Sequence, residues 1–168
     1  MMMTDYLGPS LDTTINATSS AILLFGRHPD QWDAVREDRA LIPNAINEVL
    51  RLESPIPWFA RVATEDHDID GVHVPTGSRV VLLFASANRD ERRFQDSDRF
   101  DVRRGNARDH LAFGHGEHNC VGQGLARLEL RALLEALADA VERFELGVAV
   151  RAHNQNLRGM ERLEVTVR

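Results

Sequence analysis

The chain is poor in cysteine and lacks long apolar runs. Its 168 residues include one cysteine, Cys120, so no disulfide can form within the chain. The apolar run over residues 21–25 is far shorter than the roughly 18 residues that a membrane span requires. Residues 1–5 lack the basic segment and apolar stretch of a secretory signal. We therefore expect a cytoplasmic protein without a membrane span.

Positively charged residues are also fewer than negatively charged ones. The chain has no lysine, and its 20 arginines face 26 aspartates and glutamates, which gives a formal net charge of -6. A chain with this acidic balance is not expected to bind nucleic acid through its overall field. Hydrophobic residues make up 43% and charged residues 27%, as in ordinary globular domains, and the length suffices for one core. We expect a single domain over residues 1–168.

The order of hydrophobic patterns predicts a mainly α fold with small β-sheets, an α+β arrangement. The predicted helices cover residues 10–26, 28–35, 42–52 and 119–144. The last of these should be buried except along a charged stripe. The predicted strands cover residues 60–63, a hairpin over 68–74 centred on Asp70-Gly71, a buried strand over 79–85, and two tail strands over 146–150 and 163–167. Residues 88–109 are polar without a period and are expected to form an ordered meander.

The only cysteine lies in a glycine-rich loop before the last predicted helix. Gly114 and Gly116 allow sharp turns that bring backbone N–H groups close to a ligand. Cys120 lies at the expected helix start, where positive partial charge favours a thiolate. The residues alone leave two alternatives open. One is an inert buried cysteine, and the other is a zinc site whose candidate ligands are His110, His115, His118 and Cys120.

Residues 113–122 match the full pattern Phe-Gly-x-Gly-x-His-x-Cys-x-Gly. In this the chain resembles the haem loop of the cytochromes P-450, the haem-thiolate monooxygenases, and its other motifs resemble soluble bacterial members. The resemblance implies haem b (iron protoporphyrin IX) with Cys120 as the axial ligand of the iron. It also implies that the cofactor-binding residues are Cys120, His118, Arg61, Phe113, Gly114, Gly116 and Gly122. His118 and Arg61 would contact the haem propionates.

The segment Leu11-Asp12-Thr13-Thr14 resembles the family's oxygen-activation motif. The resemblance implies that Asp12 and Thr13 are catalytic and deliver protons while one oxygen atom of O2 is inserted into a small organic substrate. Pro9 and Ser10 depart from the Ala-Gly that the family usually carries there. The alternative is that Ser10 merely caps a helix whose first turn contains Asp12.

Glu48 and Arg51 match the family's Glu-x-x-Arg pair, whose side chains share one helix face. The resemblance implies that Arg99 completes a buried network with them, in a structural role. The alternative is a surface ion pair. A second set of arginines flanks the cysteine loop and would form a basic face for a ferredoxin-type electron donor. These are Arg103, Arg104, Arg108, Arg127 and Arg131, and they fit a solvated arginine face equally well.

The resemblance runs from Leu11 to Arg168, which is less than half of the family's usual length. We therefore expect the C-terminal part of the fold, with the N-terminal half absent. Apolar helix faces that would pack on that half should be exposed. The corresponding alternative function is a truncated, non-catalytic remnant that binds haem.

Overall fold

The computed structural model describes the backbone of residues 2–168 and the side chains of residues 8–168. Residues 1–5, on which the leader-peptide expectation rests, lie outside the residues with described side chains. The α-helices of this part are α1 (Met2–Arg27), α2 (Pro29–Glu37), α3 (Ile42–Leu52), α4 (Phe84–Ala87) and α5 (Gln123–Ala140). The strands are β1 (Phe59–Val62), β2 (His67–Ile69), β3 (Val72–Val74), β4 (Arg79–Leu82), β5 (Phe144–Arg151) and β6 (Met160–Val167). They form the antiparallel pairs β1–β4, β2–β3 and β5–β6, so the α+β prediction is confirmed.

The core lies where α1, α2, α3 and α5 meet the β5–β6 ribbon. Trp32 of α2 stands at its centre, with ring centroids 4.8 Å from Phe25 and 4.9 Å from Phe144. Its indole N–H donates to the carbonyl of Val141 at 3.2 Å, which satisfies the buried polar end of the ring. Helix α3 buries the apolar stripe predicted from its 3.6-residue period. Burying each large apolar side chain stabilises the fold by about 1.5–3 kcal/mol.

Helix α1 begins earlier than the sequence predicts and contains Pro9 in its interior. Proline has no backbone N–H and normally breaks a helix, which is why the predicted start lay at Ser10. The helix continues because its later half packs into the core, with Ala21, Leu24 and Phe25 buried. The alternative in which Ser10 caps the helix is therefore wrong.

Helix α5 is shorter and less buried than predicted. It spans Gln123–Ala140, because a 3-10 turn at Gly116–His118 precedes it and β5 begins at Phe144. Only the face carrying Leu130, Leu134 and Ala138 is buried, while the Leu125 and Leu128 side chains are 55% and 62% exposed. The prediction of burial outside the charged stripe is wrong, since no element of the described chain covers this second apolar face.

Strand β4 also differs from the prediction of a buried strand over residues 79–85. It ends at Leu82, its residues are mostly exposed, and α4 follows from Phe84. It pairs with β1, and both strands consist mostly of exposed residues. Together with the exposed side chains Leu11 and Ile15 on α1, this confirms that apolar surface is left uncovered. Among the described helices, none combines the length and apolar character that a membrane crossing requires.

Candidate functional site

Two glycines in the left-handed backbone region and one backbone hydrogen bond across the loop fix the conformation of the cysteine loop. Gly114 and Gly116 each have φ of +73°, a region that favours glycine because side chains clash there. The N–H of Cys120 donates to the carbonyl of Phe113 at 2.8 Å, which closes the loop. Helix α5 begins three residues later, at Gln123. The Cys120 side chain is exposed, so the alternative of an inert buried cysteine is wrong.

Arg127 places a positive charge against Phe113, the first residue of this loop. Its guanidinium lies 4.5 Å above the ring centroid of Phe113 and donates to Oε1 of Gln123 at 2.8 Å. Burial lowers the pKa of Arg127, and the charge of Cys120 acts in the opposite direction. The two contacts fix the guanidinium of Arg127 next to the cysteine loop and the first turn of α5.

A cavity of about 290 Å³ lies beside the loop. Its walls are formed by Arg61, Leu82, Leu83, Phe84, Ala87, Leu111, His115 and His118. The cavity thus brings together Arg61 of β1 and His118 of the cysteine loop, which the sequence singled out separately. Apolar side chains and two potential N–H donors suit a flat apolar ligand with carboxylate groups at its edge. Haem is such a ligand, so the residues present fit the cofactor.

The proposed proton donors are not part of this cavity wall. Asp12 is exposed on α1, and Thr13 is half-buried. The Thr13 hydroxyl donates to the carbonyl of Pro9 at 2.5 Å, one turn earlier. This bond uses the hydroxyl proton and leaves the oxygen lone pairs free to accept another bond. Neither Asp12, Thr13 nor Cys120 lines the cavity, which the loop flanks only through His115 and His118.

The histidines do not assemble into a metal site. Among the residues with described side chains, no three or more His, Cys, Asp or Glu residues are grouped to hold a metal ion. His110 is buried and its Nδ1 accepts a bond from the N–H of Ala112 at 3.1 Å, whereas His115 and His118 are exposed. The predicted zinc site with Cys120 is therefore wrong.

Burial and neighbouring arginines disfavour a charged imidazole at His110. Burial comes first among the causes that lower the pKa of His110 to about 4, and Arg127 and Arg51 add to it. The Nε2 atom of His110 has no hydrogen-bond partner. His110 therefore stays neutral near pH 7 and fixes the entry to the cysteine loop through Ala112.

A buried ion cluster stands behind the loop. Glu48 and Arg51 are 0% exposed and form two bonds, with Arg51 Nε 2.7 Å from Glu48 Oε2 and Arg51 Nη2 2.8 Å from Glu48 Oε1. The alternative of a surface pair is wrong. The third member is Arg104, whose Nε lies 2.9 Å from Glu48 Oε1. The prediction that Arg99 completes the network is wrong, because its side chain is exposed and only its carbonyl accepts bonds from Arg51 and Arg104.

The predicted basic face has one arginine fewer than expected, because Arg104 belongs to the buried cluster with Glu48. Arg104 is buried, and Arg127 is stacked on Phe113. Arg103 and Arg108 are exposed, and Arg131 is exposed but paired with Glu135 at 2.7 Å. The surface arginines near the loop are therefore fewer than the sequence predicts.

Sequence reasoning missed a second ion cluster, which is centred on the buried Glu53. The Glu53 carboxylate accepts bonds of 2.7 Å from both Arg151 and Arg158. Burial alone would raise the pKa of Glu53, but the bonds and charges of the two arginines hold it below its ordinary value of 4.5. No sequence signal connects these residues, since they are about a hundred positions apart. The cluster ties the end of α3 to the connection between β5 and β6.

Comparison with known proteins agrees with this fold and loop. The sequence profile of the family Cytochrome P450 matches residues 1–160. The cytochrome P450 CYP199A2 of Rhodopseudomonas palustris is 40% identical over 98% of this chain and 40% of its own length. The linalool 8-monooxygenase of Pseudomonas putida is 42% identical over 93% of this chain and 38% of its own. The solved cytochrome P450-153 from Novosphingobium aromaticivorans superposes with a TM-score of 0.89 at 40% identity, over 94% of this chain and 40% of that one.

The chain belongs to the cytochrome P450 family. It spans about 40% of the length of the curated relatives that it matches, and membership implies a haem cofactor.

Proposed function

We propose that this chain provides the haem-thiolate centre of a cytoplasmic monooxygenase that inserts one oxygen atom of O2 into a small organic substrate. The observation that carries the proposal is the exposed Cys120, held on a closed glycine loop beside a cavity that contains Arg61 and His118. When bound, haem b supplies the iron at which O2 is reduced. The relatives named as monooxygenases support the same reaction class.

Cys120 would hold the haem iron through its sulfur. Three neighbours support this assignment. Arg127 places positive charge beside the loop, and its guanidinium lies 4.5 Å from the ring centroid of Phe113. At Gly122 an added Cβ would lie 3.9 Å from the Cys120 sulfur, which places Gly122 directly beside the proposed ligand atom. Gly114 and Gly116 provide the turns that present the thiolate at the surface.

Arg61 and His118 would bind the carboxylates of the porphyrin. Both line the same cavity from different elements. A guanidinium and an imidazole N–H beside a carboxylate form charge-assisted hydrogen bonds, which are stronger than neutral ones. Leu82, Leu83 and Phe84 would pack against the apolar plane and exclude water from that edge.

Asp12 and Thr13 would hold and deliver the protons that O2 reduction consumes. Asp12 is exposed and can exchange protons with solvent, while Thr13 has a fixed hydroxyl rotamer because it donates to the Pro9 carbonyl. Thr13 would give up its hydroxyl proton in place of the bond to Pro9 and take a proton from Asp12 in return, so that the pair would act as a relay. The exposed Arg103, Arg108 and Arg131 would attract an acidic ferredoxin-type electron donor, with a salt-sensitive association rate.

The decisive experiment reconstitutes the purified chain with haem, reduces it and adds carbon monoxide. A haem-thiolate adduct gives a strongly red-shifted Soret band, which we expect for the wild type and not for Cys120→Ser. Thr13→Ala is the matched control, because it alters a proposed proton donor and should retain the band. A band of equal position in wild type and Cys120→Ser would overturn the proposal.

A second candidate, a haem-binding fragment without turnover, is favoured by one observation. Leu11 and Ile15, on either side of the Asp12–Thr13 pair, are 63% and 55% exposed, whereas oxygen insertion requires a site that excludes water. The two functions differ in one measurement. A red-shifted band without substrate-dependent O2 consumption, in the presence of a ferredoxin and its reductase, would identify the fragment.

A further inference from the structure

Asn88 lies directly after α4 and is fully buried, with 0% exposure. A buried amide without partners would cost a few kcal/mol, so the bonds that it forms are informative. Its backbone N–H donates to the carbonyl of Phe84 at 2.9 Å, which ends α4. Its remaining polar groups reach two other parts of the chain.

The first part is the end of α3. The Asn88 carbonyl accepts a 2.7 Å bond from Nη1 of Arg51, the arginine of the Glu48 cluster. The Asn88 Nδ2 donates to Oγ of Ser54 at 2.8 Å, and Ser54 in turn donates to the carbonyl of Leu50. Asn88 is thereby fixed to the C-terminal end of α3, a helix whose residues are mostly buried.

The second part is the entry to the cysteine loop. The Asn88 Oδ1 accepts the N–H of Leu111 at 2.6 Å. The Leu111 carbonyl accepts the N–H of Gly114 at 2.9 Å, and the Phe113 carbonyl accepts the N–H of Cys120 at 2.8 Å. The next residue in the loop, Ala112, has its N–H bound to His110 Nδ1. Two buried side-chain acceptors thus fix consecutive amides, and one of them belongs to a distant element.

We propose that Asn88 is a positioning residue that transmits the rigidity of the Glu48–Arg51–Arg104 cluster to the cysteine loop and so fixes the place of the Cys120 sulfur. Among the residues with described side chains, the Oδ1–Leu111 bond is the one side-chain hydrogen bond that joins the end of α4 to this loop entry. Leu111 also lines the cavity together with Phe84 and Ala87 of α4. A shift of this bond would therefore move the loop relative to the cavity wall. The inference rests on the proposed function only in assigning a haem ligand to Cys120.

The test compares Asn88→Ala with Ser54→Ala. Both remove a buried polar partner from the same cluster, but Ser54→Ala leaves the bond between Asn88 and Leu111 in place. In the haem-free chain, we expect Asn88→Ala to speed amide hydrogen exchange at Gly114 and Cys120 by about tenfold, because one anchoring bond is lost. Ser54→Ala should leave exchange at these two amides unchanged, even where it lowers the denaturation midpoint.

A second variant covers the case in which Asn88→Ala does not fold. Asn88→Asp keeps the Oδ1 acceptor, so exchange at Gly114 and Cys120 should stay within about twofold of the wild type. Equal acceleration in Ser54→Ala and Asn88→Ala, or about tenfold acceleration in Asn88→Asp, would overturn the proposal. So would an unchanged exchange rate in a folded Asn88→Ala.

The haem-loaded chain separates this inference from the proposed function. In Asn88→Ala we expect a smaller fraction of the carbon monoxide adduct to carry the red-shifted Soret band, with Ser54→Ala like the wild type. Absence of the red-shifted Soret band in the wild-type chain would refute the haem-thiolate assignment, but the exchange rates would still decide the role of Asn88. A full band in Asn88→Ala, together with unchanged exchange, would leave Asn88 no positioning role.

Discussion

Arg104 Nε lies 2.9 Å from Glu48 Oε1, and 56 residues separate the two in sequence. The guanidinium groups of Arg104 and Arg51 donate six further bonds, all to backbone carbonyls of residues 88–99. The cluster therefore holds the meander by its backbone and not by its side chains. This explains why the side chain of Arg99 is free to face solvent.

Arg104→Met should destabilise the chain much more than Arg99→Met. Removing Arg104 leaves the buried Glu48 with one cation in place of two, and breaking a buried ion pair costs about 3–5 kcal/mol. Arg99→Met keeps the carbonyl that accepts bonds and should stay within about 0.5 kcal/mol of the wild type. Urea denaturation followed by circular dichroism measures both. Equal free energies of unfolding in the two variants would contradict the assignment of Arg104.

Glu53 should make the chain sensitive to acid. Its folded-state pKa is below the ordinary 4.5 because Arg158 and Arg151 outweigh burial. The unfolded state thus binds its proton first as the pH falls, and the stability from Glu53 is lost between pH 4.5 and the lower folded-state pKa. The free energy of unfolding should fall more steeply over this range in the wild type than in Glu53→Gln. Parallel pH profiles of the two proteins would refute a stabilising role for the Glu53 charge.

His110 should contribute a separate pH dependence at higher pH. Its pKa is about 4 in the folded chain, against an ordinary 6.5. Below pH 6.5 the unfolded chain binds a proton at His110, and the folded chain does not. The free energy of unfolding therefore falls as the pH is lowered to about 4, by up to about 3 kcal/mol. An NMR titration of the imidazole should show no protonation at pH 5.5. His110→Asn should flatten the stability profile between pH 6.5 and 4, and a midpoint near 6.5 would disprove the depressed pKa.

Gly159 should tolerate no side chain while Asn16 stays in place. An added Cβ would lie 2.0 Å from Oδ1 of Asn16 on α1, so Gly159→Ala should cost about 1–3 kcal/mol. Gly105→Ala is the matched control, because nothing lies within 4 Å of its added Cβ. Thermal denaturation measures both. In Asn16→Ala the cost of Gly159→Ala should largely disappear, and additive effects would exclude this contact as the cause.

Local sequence patterns predicted the elements whose causes are local. The hairpin at Asp70-Gly71 forms because both residues adopt positive φ, of 50° and 80°, as a two-residue turn between twisted strands requires. The cysteine loop and the buried face of α3 follow from glycine positions and from helical periodicity in the same way. The helix end at Ala140 was not predictable, since it depends on Phe144 joining a strand to a distant partner.

Features that depend on contacts between residues far apart in sequence could not be predicted from the sequence. Arg103 and Arg104 are adjacent and chemically identical, and only the packed meander decides which of them faces Glu48. Glu53 and Arg158 carry no shared motif, and their ion pair exists because the β5–β6 connection folds back on α3. Leu128 is exposed because no other element of the described chain packs on its side of α5. The periodicity of a single helix cannot predict such packing.

Cys120 is the chain's only cysteine, and its thiol is open to solvent. Air oxidation can therefore join two molecules in one way only, through a disulfide between identical loops. Such a covalent dimer would consume both thiolates at once and block iron coordination in each half. Dithiothreitol in the purification buffer thus determines whether reconstitution begins with reactive monomers or with pairs that cannot accept haem.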